Sequence, residues 1–124
     1  MFGKKDKISP MVEVYLSRFK SHVMPNETPL DAGTAFSVGW AMKNGNDDGN
    51  GLLVITNVRV FHCIDFGDLT LEVKRSDVFK VNSGDLPYKD NSVLHLHFME
   101  KGEPSYNSFY CSSPFTKDVV RMLK

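Results

Sequence analysis

The stretch Gly51-Leu-Leu-Val-Ile-Thr-Asn-Val-Arg-Val-Phe61 consists of two apolar runs joined by a Thr-Asn corner. The first run, residues 52–55, is short and continuously apolar, which is typical of a strand with little exposure on either face. Asn57 tolerates left-handed backbone and its side chain can bond the turn, so the chain can reverse there. The second run, residues 58–66, is rich in β-branched and aromatic residues. The stretch therefore predicts a hairpin within a sheet, with Phe61 buried.

Strand-like segments lie on both sides of this hairpin. Residues 35–43 alternate, with Phe36, Val38 and Trp40 on one face, and predict a first strand. The turn-forming run 44–50 then predicts an exposed loop. After the hairpin, the pattern predicts strands over 69–74, 78–81, 93–99 and 106–111, separated by turns at 67–68, 82–85 and 102–104. Three apolar residues of the 93–99 strand are expected to point inward: Leu94, Leu96 and Phe98. The predicted β core spans residues 33–111.

Two helices are predicted outside this β core. Ser9 precedes Pro10, which is the favoured order of an N-cap and a first helical residue. An apolar stripe at helical spacing follows and predicts a helix over 10–23, ending before Pro25. Its members are Val12, Leu16, Phe19 and Val23. Ser113-Pro114 repeats the starting pattern and predicts a C-terminal helix over 114–123. The expected organisation is a flexible tail, residues 1–8, and one domain, residues 9–124.

Composition excludes several classes of protein. A chain of 124 residues is the size of one domain. Fifteen basic and fifteen acidic residues cancel, so the phosphate attraction that dominates nucleic-acid binding is missing. Cys63 and Cys111 lie in apolar strand-like runs without a framework spacing, and we expect both to be buried and reduced. No run approaches the roughly 18 apolar residues of a membrane span, and no secretory signal starts the chain. These features favour the cytoplasm.

The order of the hairpin residues resembles the core hairpin of bacterial PH-like (pleckstrin-homology-like) domains and of the related GRAM domains. Residues 23–27, an apolar pair, a turn and then Glu27, resemble the segment that leads into the first strand of that family. Residues 73–78 resemble the segment where a polar tetrad precedes the next strand. The resemblance implies a mainly β (α+β) fold. Its core would be a strongly bent antiparallel sheet or partial barrel of about seven strands, capped by a C-terminal helix, with an additional N-terminal helix.

The resemblance also implies a function. PH-like relatives point to a non-catalytic protein-binding or self-assembly module, with a protein partner or a second copy of the chain as ligand. Met and aromatic side chains suit such a contact because they give adaptable apolar surface. The candidates are Met11, Met24, Met42, Met99 and Tyr106. Residues 106–111 carry no charge, so they are expected to form an edge strand that can template pairing with another chain.

Two alternatives use the same scaffold. One is a lipid- or small-ligand-binding PH/GRAM-type domain at a membrane surface, and the other is a phage or mobile-element interaction protein. Phosphoinositide binding is not expected, because the first loop offers Lys43 alone and then Asp47 and Asp48, whose repulsion offsets it. The lysines at positions 4, 5 and 7 could give a weak contact with an anionic membrane, worth about 1 kcal/mol each.

Metal, cofactor and catalytic sites have little support in the sequence. His95 and His97 share one face of a predicted strand and are the candidate metal ligands, but zinc needs a third or fourth ligand, which His62 or Glu100 could supply in space. The loop 44–50 resembles a calcium loop, yet its twelfth position is Ile55 and not the required Glu. No Gly-x-Ser-x-Gly elbow or other activated nucleophile is present. We therefore expect a protein without cofactor or enzymatic activity.

Overall fold

A computed structural model describes residues 24–44, 49–64, 68–87 and 90–123. The tail 1–8, the predicted helix 10–23 and Met11 lie outside the described residues. Seven strands and two helices follow one another, with a short 3₁₀ turn at Arg75–Asp77. The strands are β1 (Pro29–Ser37), β2 (Asn50–Thr56), β3 (Arg59–Ile64), β4 (Leu69–Lys74), β5 (Val78–Asp85), β6 (Asn91–Glu100) and β7 (Glu103–Ser112). The helices are α1 (Val38–Asn44) and α2 (Ser113–Leu123).

The strands form one antiparallel sheet in the order β4-β3-β2-β1-β7-β6-β5. Strands β1 to β4 and β5 to β7 are two runs of consecutive hairpins, and they meet where β1 pairs with β7. The edge strands β4 and β5 are neighbours in sequence, joined by the 3₁₀ turn. This order is consistent with a sheet bent into a partial barrel. The predicted mainly β fold of seven strands with a C-terminal helix is confirmed.

The core lies on the inner face of the sheet, under α2. Leu94, Leu96 and Phe98 all point into it, as predicted. Helix α2 inserts Phe115 and Val119 between the strands. Phe115 lies directly on the backbone of β1, because a Cβ atom at Gly33 would be 2.8 Å from its ring. A glycine at this position therefore allows the helix to approach the sheet.

The central hairpin is confirmed as strands β2 and β3. Gly51 is required there, because a Cβ atom would lie 2.0 Å from the carbonyl oxygen of Cys63 on the neighbouring strand. The Thr56 hydroxyl fixes the corner by accepting hydrogen bonds from the backbone N–H groups of Val58 and Arg59, at 3.1 and 3.0 Å. Phe61 is fully buried, as predicted.

The prediction of a first strand over 35–43 is wrong in its second half. Strand β1 begins at Pro29 and ends at Ser37, and helix α1 follows at once. Ser37 acts as the N-cap of this helix, because its hydroxyl oxygen accepts the backbone N–H of Trp40 at 3.3 Å. The Asn107 side chain in β7 accepts the backbone N–H of Gly39 at 2.9 Å. Tertiary and capping hydrogen bonds thus override the alternating pattern.

Two turns differ in position from the sequence prediction. The run 82–85 was predicted as a turn, but it continues β5, where Asn82 pairs with His95 and Asp85 with Ser92. The turn predicted at 102–104 lies one residue earlier. Lys101 and Gly102 both have positive φ angles, of 51° and 82°, and Pro104 already belongs to β7. A two-residue hairpin turn with left-handed backbone explains this shift.

Candidate interaction surface

Exposed aromatic side chains gather on the outer face of β5, β6 and β7, the face opposite the core. Phe79, His97 and Tyr106, one from each strand, form a row of rings that we call the aromatic row. The ring centroids of Phe79 and His97 are 6.1 Å apart, and those of His97 and Tyr106 are 5.7 Å apart. Phe79 remains 55% exposed and Tyr106 65% exposed. This is an apolar surface that the described residues leave open to solvent.

The aromatic row extends along the sheet on both sides. Met99 lies on the outer face next to His97 in β6 and is also exposed. On the other side, Tyr110 is exposed and stacks on Phe36 of β1 with 5.8 Å between ring centroids. Large exposed apolar groups that lie together are more informative than scattered ones, because they mark surfaces used for contact.

The edge strands are not the ones that the sequence suggested. Residues 106–111 belong to β7, which pairs with β1 on one side and with β6 on the other. The prediction that they form an uncharged edge strand is therefore wrong. Within the described residues, the terminal strands of the sheet are β4 and β5. Strand β5 carries Phe79 and thus places one end of the aromatic row at an open edge of the sheet.

The candidate interaction residues separate into three places. Tyr106 belongs to the aromatic row, and Met42 lies on α1 with 79% exposure. Met24 and Met99 line a groove of about 840 Å³ beside β4 and the 3₁₀ turn. Val73 and Phe98 also line the groove, and both belong to the apolar core. Its polar lining is of mixed charge and includes Arg59, Glu72, Lys74, Arg75, Asp77, Glu100 and Lys101.

The two candidate metal ligands, His95 and His97, are on the outer face as predicted. His95 is bonded through Nδ1 to the Ser108 hydroxyl at 2.7 Å, and His97 is stacked in the aromatic row. His62 is buried on the inner face, where Nε2 is 2.8 Å from the carbonyl oxygen of Ala35. Glu100 lines the groove. Among the residues that the structure describes, no group of three metal-binding side chains forms.

The surroundings of His62 and His97 lower the pKa of both side chains. Burial lowers the pKa of His62 and outweighs the opposite effect of its bond to Ala35. For His97, partial burial and the nearby charges of Lys80 and His95 all lower the pKa. A neutral imidazole in the aromatic row suits stacking and apolar contact, since the His97 side chain itself brings no charge that a partner must desolvate.

A buried ion pair fixes the start of β1 and was not predicted. Glu27 accepts hydrogen bonds from Arg59 Nε and from the Thr56 hydroxyl, both at 2.7 Å. Arg59 also bonds Glu72 at 2.5 Å. Burial raises the pKa of Glu27, but the hydrogen bonds from Arg59, the Met24 backbone and Thr56 outweigh it and hold the pKa below its ordinary value. The only sequence signal was the glutamate before the first strand.

Neither cysteine offers reactive chemistry. Cys63 and Cys111 are free and buried, as predicted. Burial raises the pKa of each thiol to about 11, so the reactive thiolate is scarce at neutral pH. Among the described residues, no helix combines the length and the apolar character needed to cross a bilayer.

Comparisons with known proteins identify a similar fold. No family model matches the chain, and no curated protein matches its sequence. A solved structure, the hSac2 domain from human phosphoinositide phosphatase Sac2, superimposes with a TM-score of 0.60. The match covers 94% of this chain and 82% of that domain, at 12% sequence identity. At this identity the likeness concerns architecture alone. This chain therefore shares a fold with the hSac2 domain.

Proposed function

We propose that this chain is a non-catalytic protein-binding module with a PH-like fold, and that it associates with a second copy of itself. The observation that carries the proposal is the aromatic row, which reaches an open edge of the sheet at Phe79. Burial of apolar surface drives most protein association, and tyrosine is among the residue types enriched where the binding energy concentrates.

The position of β5 suggests how two copies meet. An edge strand exposes backbone N–H and C=O groups that can pair with a strand of another chain. If β5 pairs antiparallel with its own copy about a two-fold axis perpendicular to the sheet, the two aromatic rows lie on the same side. Both copies then use the same surface, which is the arrangement of a closed symmetric dimer. Edge pairing would supply backbone hydrogen bonds, and the rows would supply apolar contact.

Light scattering over a concentration series tests self-association. The wild-type chain is expected to give a dimer mass at micromolar concentration. Phe79→Lys places a charge at the edge end of the aromatic row and is expected to give a monomer mass, whereas Tyr106→Glu, two strands from that edge, is expected to weaken association less. The matched control is Met42→Lys, which changes an apolar side chain of even greater exposure on α1 and should remain dimeric. A monomer mass for the wild-type chain at high concentration would instead favour a different protein as partner.

The groove supports a second candidate function, binding of a peptide or small ligand. Its volume of about 840 Å³ and its Val73 and Phe98 lining suit an apolar group. A phosphoinositide headgroup fits less well. Arg59 is bonded to two carboxylates, and Arg75 donates to the carbonyl oxygens of Thr56 and Met122. Lys74 and Lys101 lie in a lining that also contains Asp77 and Glu100. The mixed charge offers no concentrated positive site for phosphate.

A further inference from the structure

The outer face of β2 and β3 is buried, although the core lies on the other face. Leu53 and Ile55 point into the core, so their neighbours Leu52 and Val54 point outward. Cys63 pairs with Leu52 and shares its side of the sheet. Outward positions of a single-layer sheet are usually exposed to water. These three side chains nevertheless retain at most 2% exposure.

The described helices do not account for this burial. Helix α2 lies against β1, β5, β6 and β7, and helix α1 lies against β7. Arg59 reaches the outer face at the corner of the hairpin, where its guanidinium carbon is 4.4 Å from the Phe61 ring centroid. A single arginine at one corner cannot remove Leu52 and Cys63 from water, because they lie at the far end of the two strands. Another part of the chain is needed.

We propose that the segment 9–23 docks as an amphipathic helix on the outer face of β2 and β3. The segment joins the described residues at Met24, close to this outer face. Glu27 is bonded to Thr56 and Arg59 at the hairpin corner, and the Met24 backbone N–H donates to the Glu27 carboxylate at 2.9 Å. The residues that precede Met24 therefore start at one end of the buried outward surface.

The length of the segment 9–23 and its apolar pattern also support docking on β2 and β3. The other segments outside the described ranges are the tail 1–8, with four charged residues, and 45–48, 65–67, 88–89 and residue 124, each too short to form a helix over the two strands. A helix of 15 residues is about 22 Å long. Strand β2, with seven residues, is about 23 Å long, so such a helix can cover it from end to end. The segment also carries an apolar stripe of the right kind, formed by Val12, Leu16, Phe19 and Val23.

With the segment docked in this way, the two halves of the outer face have different roles. The half formed by β2 and β3 has an occupant within the same chain, whereas the half formed by β5, β6 and β7 presents the aromatic row. The inference is independent of self-association, because it concerns the other half of the sheet. If the segment docked on a second copy instead, the same surface would become a swapped interface.

Photo-crosslinking of the full chain distinguishes these cases. A photoreactive amino acid at position 16 lies in the centre of the stripe. We expect it to link to residues 52–63 of the same chain, identified by mass spectrometry of a mixture of isotopically light and heavy chains. Links between a light and a heavy chain at these residues would overturn intramolecular docking in favour of a swap. Links to other parts of the sheet, or none, would overturn the docking site itself.

Thiol protection gives a second readout in the native protein. Cys63 lies under the proposed helix, whereas Cys111 belongs to the inner core. Leu16→Asp should raise the alkylation rate of Cys63 by about tenfold or more while Cys111 stays protected, because only the outer face opens locally. Arg18→Asp, a polar position between the stripe residues, is the matched control and should leave both rates unchanged. An unchanged rate at Cys63 in Leu16→Asp, or equal labelling of both cysteines, would contradict the proposal.

Discussion

The ion pair between Glu27 and Arg59 shows how single residues hold the start of the sheet in place. The Glu27 carboxylate accepts hydrogen bonds from the Arg59 guanidinium, the Thr56 hydroxyl and the Met24 backbone N–H. Removing the charge leaves the buried Arg59 guanidinium without its buried counter-charge. We expect Glu27→Gln to lower the free energy of unfolding by about 3 kcal/mol, at the low end for a broken buried pair because Arg59 keeps Glu72. Urea denaturation measures this cost, and Glu103→Gln, at an exposed position, should change it by less than about 0.5 kcal/mol.

The lowered pKa of Glu27 also makes the stability of the fold depend on pH. The pKa of folded Glu27 lies below its ordinary value of 4.5, so the unfolded chain binds a proton at Glu27 more readily than the native chain. The stabilisation is complete above pH 4.5 and is lost as the pH falls through the lowered value. The stability of the wild type should therefore fall more steeply on acidification than that of Glu27→Gln. Parallel curves for the two proteins would show that the carboxylate is not preferentially ionised in the fold.

Phe61 tests the burial of the hairpin. Phe61→Ala removes a fully buried ring and should cost roughly 3–5 kcal/mol, because the site cannot collapse completely. Phe79→Ala is the matched control, since it removes the same side chain from an exposed position and should stay within about 0.5 kcal/mol in dilute solution. Thermal unfolding of the two variants makes the comparison. A shift of only a degree or two for Phe61→Ala would show that the ring is not buried.

At the scale of elements, the contact between β1 and α2 depends on a glycine. A methyl group at Gly33 would overlap the Phe115 ring, and the helix would have to move. We expect Gly33→Ala to cost about 1–3 kcal/mol, the usual range for overpacking. Gly84→Ala is the control, because a Cβ atom there meets Val93 at 3.5 Å, an ordinary contact. Equal stability of both variants would mean that the helix does not rest on β1 in the way described.

The sequence predicted elements best where local pattern and tertiary contacts agree. The central hairpin, the 93–99 strand and the C-terminal helix each combine strong periodicity with suitable turn or capping residues. The second half of the predicted first strand failed because Ser37 caps a helix, and its alternating apolar residues fit either structure. The end of β5 was missed because pairing with β6 overrides residues that favour turns. Contacts with other strands contribute in both cases, since Asn107 of β7 bonds the first turn of α1 and β6 pairs with the end of β5. The sequence of one segment does not contain these contacts.

The candidate surface was only partly predictable for the same reason. Tyr106 and His97 were singled out separately, as an apolar contact and as a metal ligand. Their ring contact depends on the register between β6 and β7, which a single sequence does not specify. Phe79 joins them because its neighbour Val78 packs against the core, which leaves Phe79 on the outer face beside His97 of the paired strand β6. A row of aromatic rings across three strands is therefore a property of the sheet and not of any one segment.

For the whole molecule, the distribution of charge predicts weak interaction with lipids. Sedimentation with phosphoinositide vesicles should equal sedimentation with neutral vesicles, because the chain has no net charge and the described arginines of the groove are bonded to protein groups. The control is Lys43→Glu, which should behave like the wild type. Salt-sensitive sedimentation that Lys43→Glu abolishes would contradict this prediction and support the membrane-surface alternative.

The short junction between β1 and β7 has a consequence for the kinetics of folding. Only three residue pairs join them, from Ala35 with Cys111 to Ser37 with Phe109, and they connect distant parts of the chain. The hairpins on either side close between sequence neighbours, so they can form rapidly and independently. The junction must wait for a large loop to close, which costs entropy before any contact repays it. Joining the two hairpin groups is therefore expected to limit the rate of folding, and amide hydrogens along this junction should exchange through its separation before either group unravels.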